Sequence, residues 1–382
     1  MLFRRSYWIE RIEEAWKRRP LVWLAGVRRV GKTVLCQSLR DVEYFDCELP
    51  RVRRGMADPE AFLRGLKGKR IVLDEVHRLD APSEVLKIAA DHFPDVRVLA
   101  TGSSTLQASA KFKDALTGRK VEVWLTPMMS ADLHDFGGLD LVTRLGRGGL
   151  PPFTLAADPR EADFQEWMDS YWAKDIQELF RLERRASFVR FVELLLSTSG
   201  GIFEATKYAT PCEVSRTTIA NYLGVLEATR VAHVVRPFST HRRTEIVAAP
   251  KVYAFDTGFV TYYRGWRDLR REDLGHLWEY YVLNELQSRL PEAPVRYWRD
   301  TRGHEVDFIV TRRGRMPTAV ECKWSASGSL DLSGLAAFRR AYPQGRNLVV
   351  AADVDRPFDR REAALRVEHV GLEDLIARLR HA

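Results

Sequence analysis

Apolar and polar residues alternate along the chain in two ways, and each way predicts a different element. Up to about residue 125, five short apolar runs alternate with segments whose apolar residues recur every three or four positions. The runs predict strands at 21–25, 42–46, 70–74, 97–101 and 121–125, and the periodic segments predict helices at 33–40, 59–66 and 83–93. Apolar strands that alternate with helices are typical of a parallel sheet covered on both faces. This part of the chain is therefore predicted to be an α/β domain.

The pattern changes twice in the rest of the chain. It is mixed and then helical to about residue 185, and a helix-rich stretch follows to about residue 258. Strand-like runs then return at 295–299, 305–310, 318–322 and 347–351. The pattern predicts four parts: an α/β domain at 1–135, a helical connector at 136–186, a helical domain at 187–260 and a second α/β domain at 265–382.

Length and composition exclude several classes of protein. The chain has 382 residues, 45% of them hydrophobic and 29% charged, which is typical of two or three globular domains and excludes a disordered chain. No stretch approaches the roughly 18 uncharged apolar residues of a membrane span, and the N-terminus lacks the apolar core of a signal peptide. The four cysteines show no C-x-x-C spacing, so reduced thiols are expected. We therefore expect a cytoplasmic protein without membrane contact.

The charge balance is basic. Lysine and arginine number 60 against 52 aspartates and glutamates, for a net charge of +8. An excess of positive charge fits an anionic partner such as nucleic acid. A coding bias toward arginine would produce the same balance, so charge leaves the partner open.

A complete phosphate-binding motif, G-x-x-x-x-G-K-T, lies between the first predicted strand and the first predicted helix. It consists of Gly26, Val27, Arg28, Arg29, Val30, Gly31, Lys32 and Thr33. The strand–loop–helix context is the one that this motif requires, because backbone N–H groups and the start of the helix together surround the phosphates. Lys32 is expected to contact the β- and γ-phosphates, and the Thr33 hydroxyl is expected to bind Mg²⁺.

Two later strands carry polar residues at their ends. The run at 70–74 ends in Asp74 and Glu75, the form of a Walker B motif, in which Asp74 holds Mg²⁺ and Glu75 activates water as general base. The run at 97–101 is followed by Gly102 and Ser103, a small polar end that suits a γ-phosphate sensor. A plain turn would look similar to this last feature.

The order of these three motifs resembles that of AAA+-type ATPases, with phosphate loop, Walker B and sensor on neighbouring parallel strands. The sequence around Lys32, Asp74, Ser103 and Arg119 is similar to that of a prokaryotic "ATP-binding protein" family, in which an AAA+ module precedes a C-terminal region of unassigned function. This resemblance extends through Asp175 and the segments 250–258 and 305–308. It implies ATP and Mg²⁺ as ligands, and it makes Arg119 an arginine finger supplied in trans within a homo-oligomer. A surface arginine before a strand is the alternative for Arg119.

The helical domain contains a segment that predicts a winged helix-turn-helix. Ile219, Tyr222, Leu223 and Leu226 form one apolar helix face, with Ser215 as N-cap. Two strands follow, at 232–236 and 251–255. The residues expected to contact DNA are on the other helix face and in the wing: Arg216, Thr217, Asn221, Arg242 and Arg243. Packing of this domain against protein is the alternative.

The last domain resembles the PD-(D/E)XK nuclease arrangement of a helix acid, a strand acid and E-x-K on the next strand. The corresponding residues are Glu279, Asp307, Glu321 and Lys323. Side chains alternate along a strand, so Glu321 and Lys323 share a face. Asp307 and Glu321 would bind a second Mg²⁺ or Mn²⁺, and Lys323 would orient the attacking water. A nuclease-like scaffold with salt-bridged acids and no cleavage is the alternative.

The predicted fold class is thus α/β: a P-loop parallel-sheet ATPase domain, a winged helix-turn-helix middle domain and an α/β nuclease-like C-terminal domain. Three functions remain. The first is a Mg²⁺-dependent AAA+-type ATPase that binds DNA, with branched DNA as one candidate, and remodels it or translocates on it. The second is a metal-dependent DNA endonuclease regulated by ATP hydrolysis, and the third is a nucleotide-dependent protein-interaction switch in stress or defence.

Overall fold

A computed structural model describes most of the chain. The described residues are 4–102, 110–156, 160–180, 182, 184–239, 249–312, 314–327, 330–362 and 365–380. They form two compact units. The first consists of Met1–Leu141, Gly149–Val189 and Asn221–Val231, and the second of Val142–Gly148, Arg190–Ala220 and Ala232–Ala382. The four-part division drawn from the sequence stays a prediction.

The described chain contains strands and helices throughout its length. The strands are β1 (Leu21–Ala25), β2 (Glu43–Asp46), β3 (Arg70–Asp74), β4 (Arg97–Thr101), β5 (Lys120–Trp124), β6 (Ala232–Val235), β7 (Lys251–Ala254), β8 (Val295–Arg299), β9 (Glu305–Val310), β10 (Thr318–Lys323), β11 (Asn347–Ala351), β12 (Phe358–Glu362) and β13 (Leu365–Val370). The helices up to the first sheet's end are α1 (Ser6–Arg18), α2 (Lys32–Gln37), α3 (Pro50–Gly55), α4 (Pro59–Arg64), α5 (Pro82–His92) and α6 (Ala110–Leu116). Those that follow are α7 (Ser130–Leu133), α8 (Leu141–Arg147), α9 (Pro151–Thr154), α10 (Glu161–Tyr171), α11 (Gln177–Phe180), α12 (Arg185–Ser197), α13 (Ala205–Ala209), α14 (Arg216–Ala228), α15 (Thr257–Arg264), α16 (Arg271–Arg289), α17 (Ser333–Ala341) and α18 (Leu372–Arg380). Between α10 and α11 the helix continues as a π-helix at Trp172–Ile176.

The first unit is built on a parallel sheet of five strands in the order β2-β3-β4-β1-β5. Every residue of β1 is buried, as expected for a strand covered on both faces. Leu21, Trp23 and Ala25 belong to one apolar cluster with Leu86 of α5. Because successive side chains alternate, the other residues of β1 face the opposite side of the sheet. The carboxyl ends of β1, β3 and β4 meet at one edge, where the phosphate loop and Walker B residues lie.

The second unit contains a mixed sheet of six strands in the order β12-β13-β11-β10-β9-β8. The pairs β8–β9, β9–β10 and β12–β13 are antiparallel, whereas β10–β11 and β11–β13 are parallel. The long helix α16 is anchored to this sheet by Trp278, whose indole N–H donates to the carbonyl oxygen of Val350 at 3.1 Å. This anchor fixes the helix that carries Glu279 against the strands that carry Asp307 and Glu321.

The segment predicted as a winged helix-turn-helix contains α13, α14 and the antiparallel pair β6–β7. The Thr218 N–H donates to Ser215 Oγ at 3.1 Å, which confirms the predicted N-cap. Ile219 and Tyr222 are buried on the predicted apolar face of α14. The wing residues Arg242 and Arg243 lie outside the described residues.

The α/β fold class is confirmed, and most strand predictions agree with the structure to within one residue. β1, β3, β4, β8, β9 and β11 have the predicted bounds. The first predicted helix, 33–40, was too long, because α2 ends at Gln37. Within the described part of the chain, no helix combines the length and apolar character needed to cross a bilayer.

Candidate functional site

The phosphate loop connects β1 to α2 at the carboxyl edge of the first sheet. Gly26 is required by close packing, because a Cβ at this position would lie 2.6 Å from the carbonyl oxygen of Leu125. Gly31 has a φ of +99°, in the left-handed region that favours glycine. The Leu35 N–H donates to the carbonyl oxygen of Gly31 at 2.9 Å, so helical bonding begins directly after the loop. Both glycines of the motif are therefore needed by the backbone itself.

The two acids after β3 occupy different environments. Asp74 is buried, and its Oδ2 accepts a hydrogen bond from the Tyr44 hydroxyl at 2.6 Å while its Oδ1 accepts one from the Thr101 hydroxyl. Glu75 has a φ of +57°, and its backbone N–H donates to Thr101 Oγ1 at 3.0 Å. This left-handed turn directs the Glu75 carboxylate away from the strand, where its Oε2 lies 3.0 Å from His77 Nδ1. Thr101, at the end of β4, thus connects both acids.

Charged side chains around the loop shift each other's pKa. Burial lowers the pKa of Lys32, and the charge of Arg28 lowers it further, while Glu75, Asp175 and Asp74 oppose this change. Burial would raise the pKa of Glu75, but the His77 hydrogen bond and the charges of Lys32 and Arg28 lower it below its ordinary value. Glu75 is therefore ionised at neutral pH, the form that a general base requires.

Arg28, Lys32, Glu75 and Asp175 line one cavity of about 480 Å³. Its walls include the phosphate loop from Arg28 to Thr33, Glu75 and His77 after β3, Gly102 after β4, and Lys174 and Asp175 of the π-helix. The Lys32 ammonium donates to the carbonyl oxygens of Gly26 and Val27 at 2.8 and 3.4 Å, so it folds over the loop. A cavity with loop N–H groups, a lysine and a carboxylate base is suited to hold and hydrolyse a polyphosphate.

The donor set at this cavity also fits a magnesium ion. Thr33 is exposed at the first turn of α2, where its hydroxyl is accessible from the cavity. Asp74 lies at the end of β3, which β4 separates from β1, and its carboxylate is already oriented by Tyr44 and Thr101. Mg²⁺ prefers such hard oxygen ligands and retains several waters, so an acid that acts through water is compatible with it.

Two other predicted catalytic residues are located differently. Ser103 lies outside the described residues. The Arg119 guanidinium does not line the cavity, and its Nε donates to Asp91 Oδ1 of the same chain at 2.7 Å. Its role as an arginine finger in trans stays a prediction.

The four predicted nuclease residues lie together in the second unit, but with additional partners. Glu279 Oε1 accepts from Tyr253 Oη at 2.5 Å and from Lys251 Nζ at 3.2 Å. Lys251 also donates to Glu305 Oε1 at 2.7 Å, and its side chain is only 6% exposed. Each strand acid has its own partner: the Cys322 N–H donates to Asp307 Oδ2 at 2.7 Å, and Lys323 Nζ donates to Glu321 Oε1 at 2.9 Å.

The electrostatics of this cluster show a crowded set of acids around a buried lysine. Burial and the neighbouring Glu321 and Glu279 raise the pKa of Asp307 well above its ordinary range. Burial likewise raises the pKa of Glu321, although Lys323 opposes the change. Burial would lower the pKa of Lys251, but the surrounding acids raise it, so this lysine is charged.

A second metal at this cluster is not supported. Among the residues that the structure describes, no group of three or more His, Cys, Asp and Glu side chains is arranged to hold a metal ion. The physical reason is visible at Glu279, whose Oε1 is occupied by a lysine and a tyrosine. The lysine supplies the positive charge that the predicted metal was expected to supply.

The residues of α14 that were predicted to contact DNA lie on its exposed side. Arg216, Thr217 and Asn221 are all exposed, opposite the buried Ile219 and Tyr222. The helix therefore presents polar side chains outward at the spacing that the sequence predicted.

Sequence reasoning missed Tyr44, His77, Lys251 and Tyr253 as members of these sites. Lys251 and Tyr253 carry one usable signal, because residues two apart on a strand share a face. The partner of both, Glu279, is on a helix that begins 20 residues after Lys251, and no local pattern links the two. Tyr44 and His77 have no distinguishing signal, since a tyrosine in a strand and a histidine after one are common in any fold.

Three family models match the chain. Residues 18–133 match an AAA domain, residues 138–270 match a domain of unknown function (DUF8612) and residues 274–370 match another domain of unknown function (DUF4143). The first match covers the five-stranded sheet, the phosphate loop and the Walker B acids. It confirms the predicted AAA+-type module, whereas the nuclease-like character of the C-terminal part stays a prediction.

Two curated proteins and several solved structures are similar to the chain. The uncharacterized proteins Rv2008c of Mycobacterium tuberculosis and Mb2031c of Mycobacterium bovis are each 30% identical over 343 residues, which is 87% of this chain and 77% of each relative. The Walker-type ATPase paby2304 of Pyrococcus abyssi has a TM-score of 0.43 at 16% identity, covering 69% of this chain and 96% of that one. The RuvB Holliday junction branch migration motor of Thermotoga maritima has a TM-score of 0.28 at 16% identity, covering 63% and 94%. The chain thus carries a P-loop ATPase module of the AAA+ type and belongs to the family that contains Rv2008c and Mb2031c.

Proposed function

We propose that the chain hydrolyses ATP in the cavity of the first unit, with Lys32, Thr33, Asp74 and Glu75 as the working residues. The observation that carries this proposal is that Arg28–Thr33 of the phosphate loop and an ionised Glu75 line the same cavity. Loop N–H groups and Lys32 hold the β- and γ-phosphates, and Thr33 and Asp74 hold magnesium. Magnesium, when bound, neutralises charge on the β- and γ-phosphate oxygens.

The chemistry follows from these positions. Glu75 accepts a proton from a water molecule while the water oxygen forms a bond to the γ-phosphorus. The bond between the γ-phosphorus and the β–γ bridging oxygen breaks, and its electron pair stays with ADP. Lys32 stabilises the charge that develops on the phosphate oxygens. Thr101 holds the Glu75 backbone N–H and the Asp74 carboxylate, so both acids keep their positions during the reaction.

The test is ATP hydrolysis by the purified chain with Mg²⁺. Lys32→Ala should lose hydrolysis by about 100-fold or more, in the range seen when one charge-stabilising group is removed. Glu75→Gln should bind ATP as the wild type does and fail to hydrolyse it. Lys69→Ala, which removes a surface lysine paired with Glu43, is the matched control and should hydrolyse normally. Equal hydrolysis by Lys32→Ala and the wild type would contradict the proposal.

DNA is the partner that we propose for this ATPase, because α14 exposes Arg216, Thr217 and Asn221 on one face. Such a helix can enter a major groove, and the basic balance of the chain favours contact with phosphates. Hydrolysis should therefore rise in the presence of duplex, single-stranded or four-way DNA. Binding should weaken steeply with salt, and Arg216→Ala should reduce it. If no DNA changes hydrolysis, the protein-interaction switch becomes the better account.

The predicted action of Arg119 in trans has a direct test. Lys32→Ala subunits lack a working phosphate loop, and Arg119→Ala subunits lack the finger. If homo-oligomers form and Arg119 acts on a neighbour, mixing the two variants should restore hydrolysis that neither shows alone. Full hydrolysis by Arg119→Ala would leave Arg119 with only its contact to Asp91.

A further inference from the structure

Two arginines lie side by side in the phosphate loop, and their surroundings differ. Arg29 pairs with Glu166, whose carboxylate is 62% exposed, so this ion pair lies at the surface. Arg28 Nη1 lies 3.7 Å from Asp175 Oδ2, where the arginine side chain is 25% exposed and the aspartate 9%. A separation of 3.7 Å is an ion contact and exceeds hydrogen-bond distance. Arg28 is therefore attracted to Asp175 without being fixed by it.

The Arg28 guanidinium is close to the groups that handle the γ-phosphate. Its charge lowers the pKa of Lys32, which burial lowers more strongly, and that of Glu75, which burial raises and the His77 hydrogen bond lowers. Arg28, Lys32, Glu75 and Asp175 all line the same cavity. A cation in the same cavity as the phosphate-binding lysine and the general base can stabilise the negative charge that develops during phosphoryl transfer.

The helical segment that carries Asp175 also holds the loop backbone. Trp167 Nε1 of α10 donates to the carbonyl oxygen of Arg28 at 3.1 Å. One turn later the helix becomes the π-helix at Trp172–Ile176, which places Lys174 and Asp175 at the cavity. Such π-helical turns are frequent at functional sites. The backbone of Arg28 is thus fixed, while its side chain can exchange one anion for another.

We infer that Arg28 is an arginine finger supplied by the phosphate loop of the same chain, and that Asp175 holds it until a triphosphate enters the cavity. This inference rests on the proposed ATP hydrolysis. A γ-phosphate offers more negative charge than one carboxylate, and its oxygens can accept two parallel bonds from the guanidinium. ATP therefore draws Arg28 from Asp175, whereas ADP lacks the phosphate that would do so. Arg28 distinguishes the triphosphate from the diphosphate and stabilises the transition state.

The test compares two arginine–aspartate pairs whose aspartates, Asp175 and Asp169, lie on the same helical stretch. Arg28→Gln and Asp175→Asn alter the proposed pair, while Arg185→Gln and Asp169→Asn alter a pair that is exposed to solvent. The measurements are the Kd for Mg-ADP, the Kd for Mg-ADP with aluminium fluoride as transition-state analogue, the rate of hydrolysis, and thermal unfolding as a check on folding. Arg28→Gln should weaken the analogue and slow hydrolysis by about 1,000-fold, the lower value for an arginine finger, and change the Kd for ADP less than about threefold. Asp175→Asn should strengthen the analogue, because Arg28 is no longer held.

The outcomes separate the inference from the function on which it rests. Equal weakening of ADP and of the analogue in Arg28→Gln would overturn the inference, since Arg28 would then be an ordinary binding residue. No weakening of either would overturn it as well. Arg28→Lys keeps the charge without the planar fork, so partial recovery of analogue affinity supports direct contact with the phosphate. If the wild type itself fails to hydrolyse ATP, the proposed function fails, and the comparison of analogue with ADP still tests Arg28.

Discussion

A buried ion pair between Arg5 and Asp132 contacts the backbone of the phosphate loop at Val30, and its removal is the most informative perturbation of stability. The Arg5 side chain is 3% exposed and the Asp132 side chain 0%. Arg5 Nε donates to Asp132 Oδ1 at 3.0 Å, and Arg5 Nη2 donates to Asp132 Oδ2 at 2.5 Å. The same guanidinium donates to the carbonyl oxygens of Val30 and Thr126 at 3.2 and 3.0 Å. Arg5 therefore connects the start of α1, the loop and the end of the sheet.

Asp132→Ala should lower the free energy of unfolding of the first unit by about 3–5 kcal/mol, because breaking a buried pair leaves an uncompensated charge. Folded domains are stable by only about 5–15 kcal/mol, so this loss is large. The Met129 N–H also loses its acceptor, Asp132 Oδ2, at 2.9 Å. Arg5 donates to the Val30 carbonyl oxygen in the phosphate loop. The Kd for Mg-ATP should therefore rise in Asp132→Ala, together with the loss of stability.

The assay is urea unfolding of the whole chain, following the transition that Mg-ATP moves to higher urea concentration. Ligand binding stabilises only the unit that binds it, so this shift identifies the correct transition. Arg5→Met combined with Asp132→Leu should recover most of the loss, because it removes both charges together. Glu43→Ala, which breaks the surface pair with Lys69, should leave the midpoint unchanged within error. A loss below about 1 kcal/mol in Asp132→Ala would refute the reasoning that this buried pair supports the unit.

Three further results are expected from the second unit and the cysteines. Burial and nearby acids raise the pKa of Asp307 in the folded chain. Its contribution to stability is therefore complete below about pH 4, the pKa of an unfolded aspartate, and is lost as pH rises through the raised folded-state pKa. Asp307→Asn cannot ionise, so it should flatten the fall in melting temperature between about pH 4 and 8. Gly334→Ala should lower the unfolding midpoint, because its Cβ would lie 1.8 Å from the carbonyl oxygen of Glu305, whereas Gly275→Ala meets nothing within 4 Å and should not. All four cysteines are buried and free, so a thiol reagent should label the native chain far more slowly than the urea-unfolded chain.

The sequence predicted β1 and β3 well, because both strands consist largely of consecutive apolar residues, whereas the inner strand β13, Leu-Arg-Val-Glu-His-Val, was missed. β1 and β3 lie inside a sheet covered on both faces, so their residues form uninterrupted apolar runs with exact ends. β12 is mostly charged, with the sequence Phe-Asp-Arg-Arg-Glu, so it contains no hydrophobic run from which a strand could be predicted. It lies at the edge of its sheet, where charged residues prevent pairing with other chains. The charged sequence of β12, which contains one large apolar residue, explains why this strand was not predicted.

The candidate site was predictable where chemistry is local and unpredictable where it depends on tertiary contacts. The phosphate loop and the Walker B acids are each continuous in sequence, so their residue types and order sufficed. The contact between Arg28 and Asp175 spans a separation that no periodic pattern encodes. The same holds for Arg5 and Asp132, which are 127 residues apart. Neither an arginine near the N-terminus nor an aspartate in a short helix carries a signal of burial.

The acid cluster of the second unit shows why residue types alone could not settle its chemistry. Glu279, Asp307 and Glu321 require positive charge nearby, because buried carboxylates without compensation are costly. A divalent metal and a lysine both meet that requirement, so the acids in the sequence are compatible with either. Lys251 decides between them in this structure, because it donates to Glu279 while almost completely buried. A metal ligated by Glu279 Oε1 would have to displace the Lys251 ammonium from that oxygen.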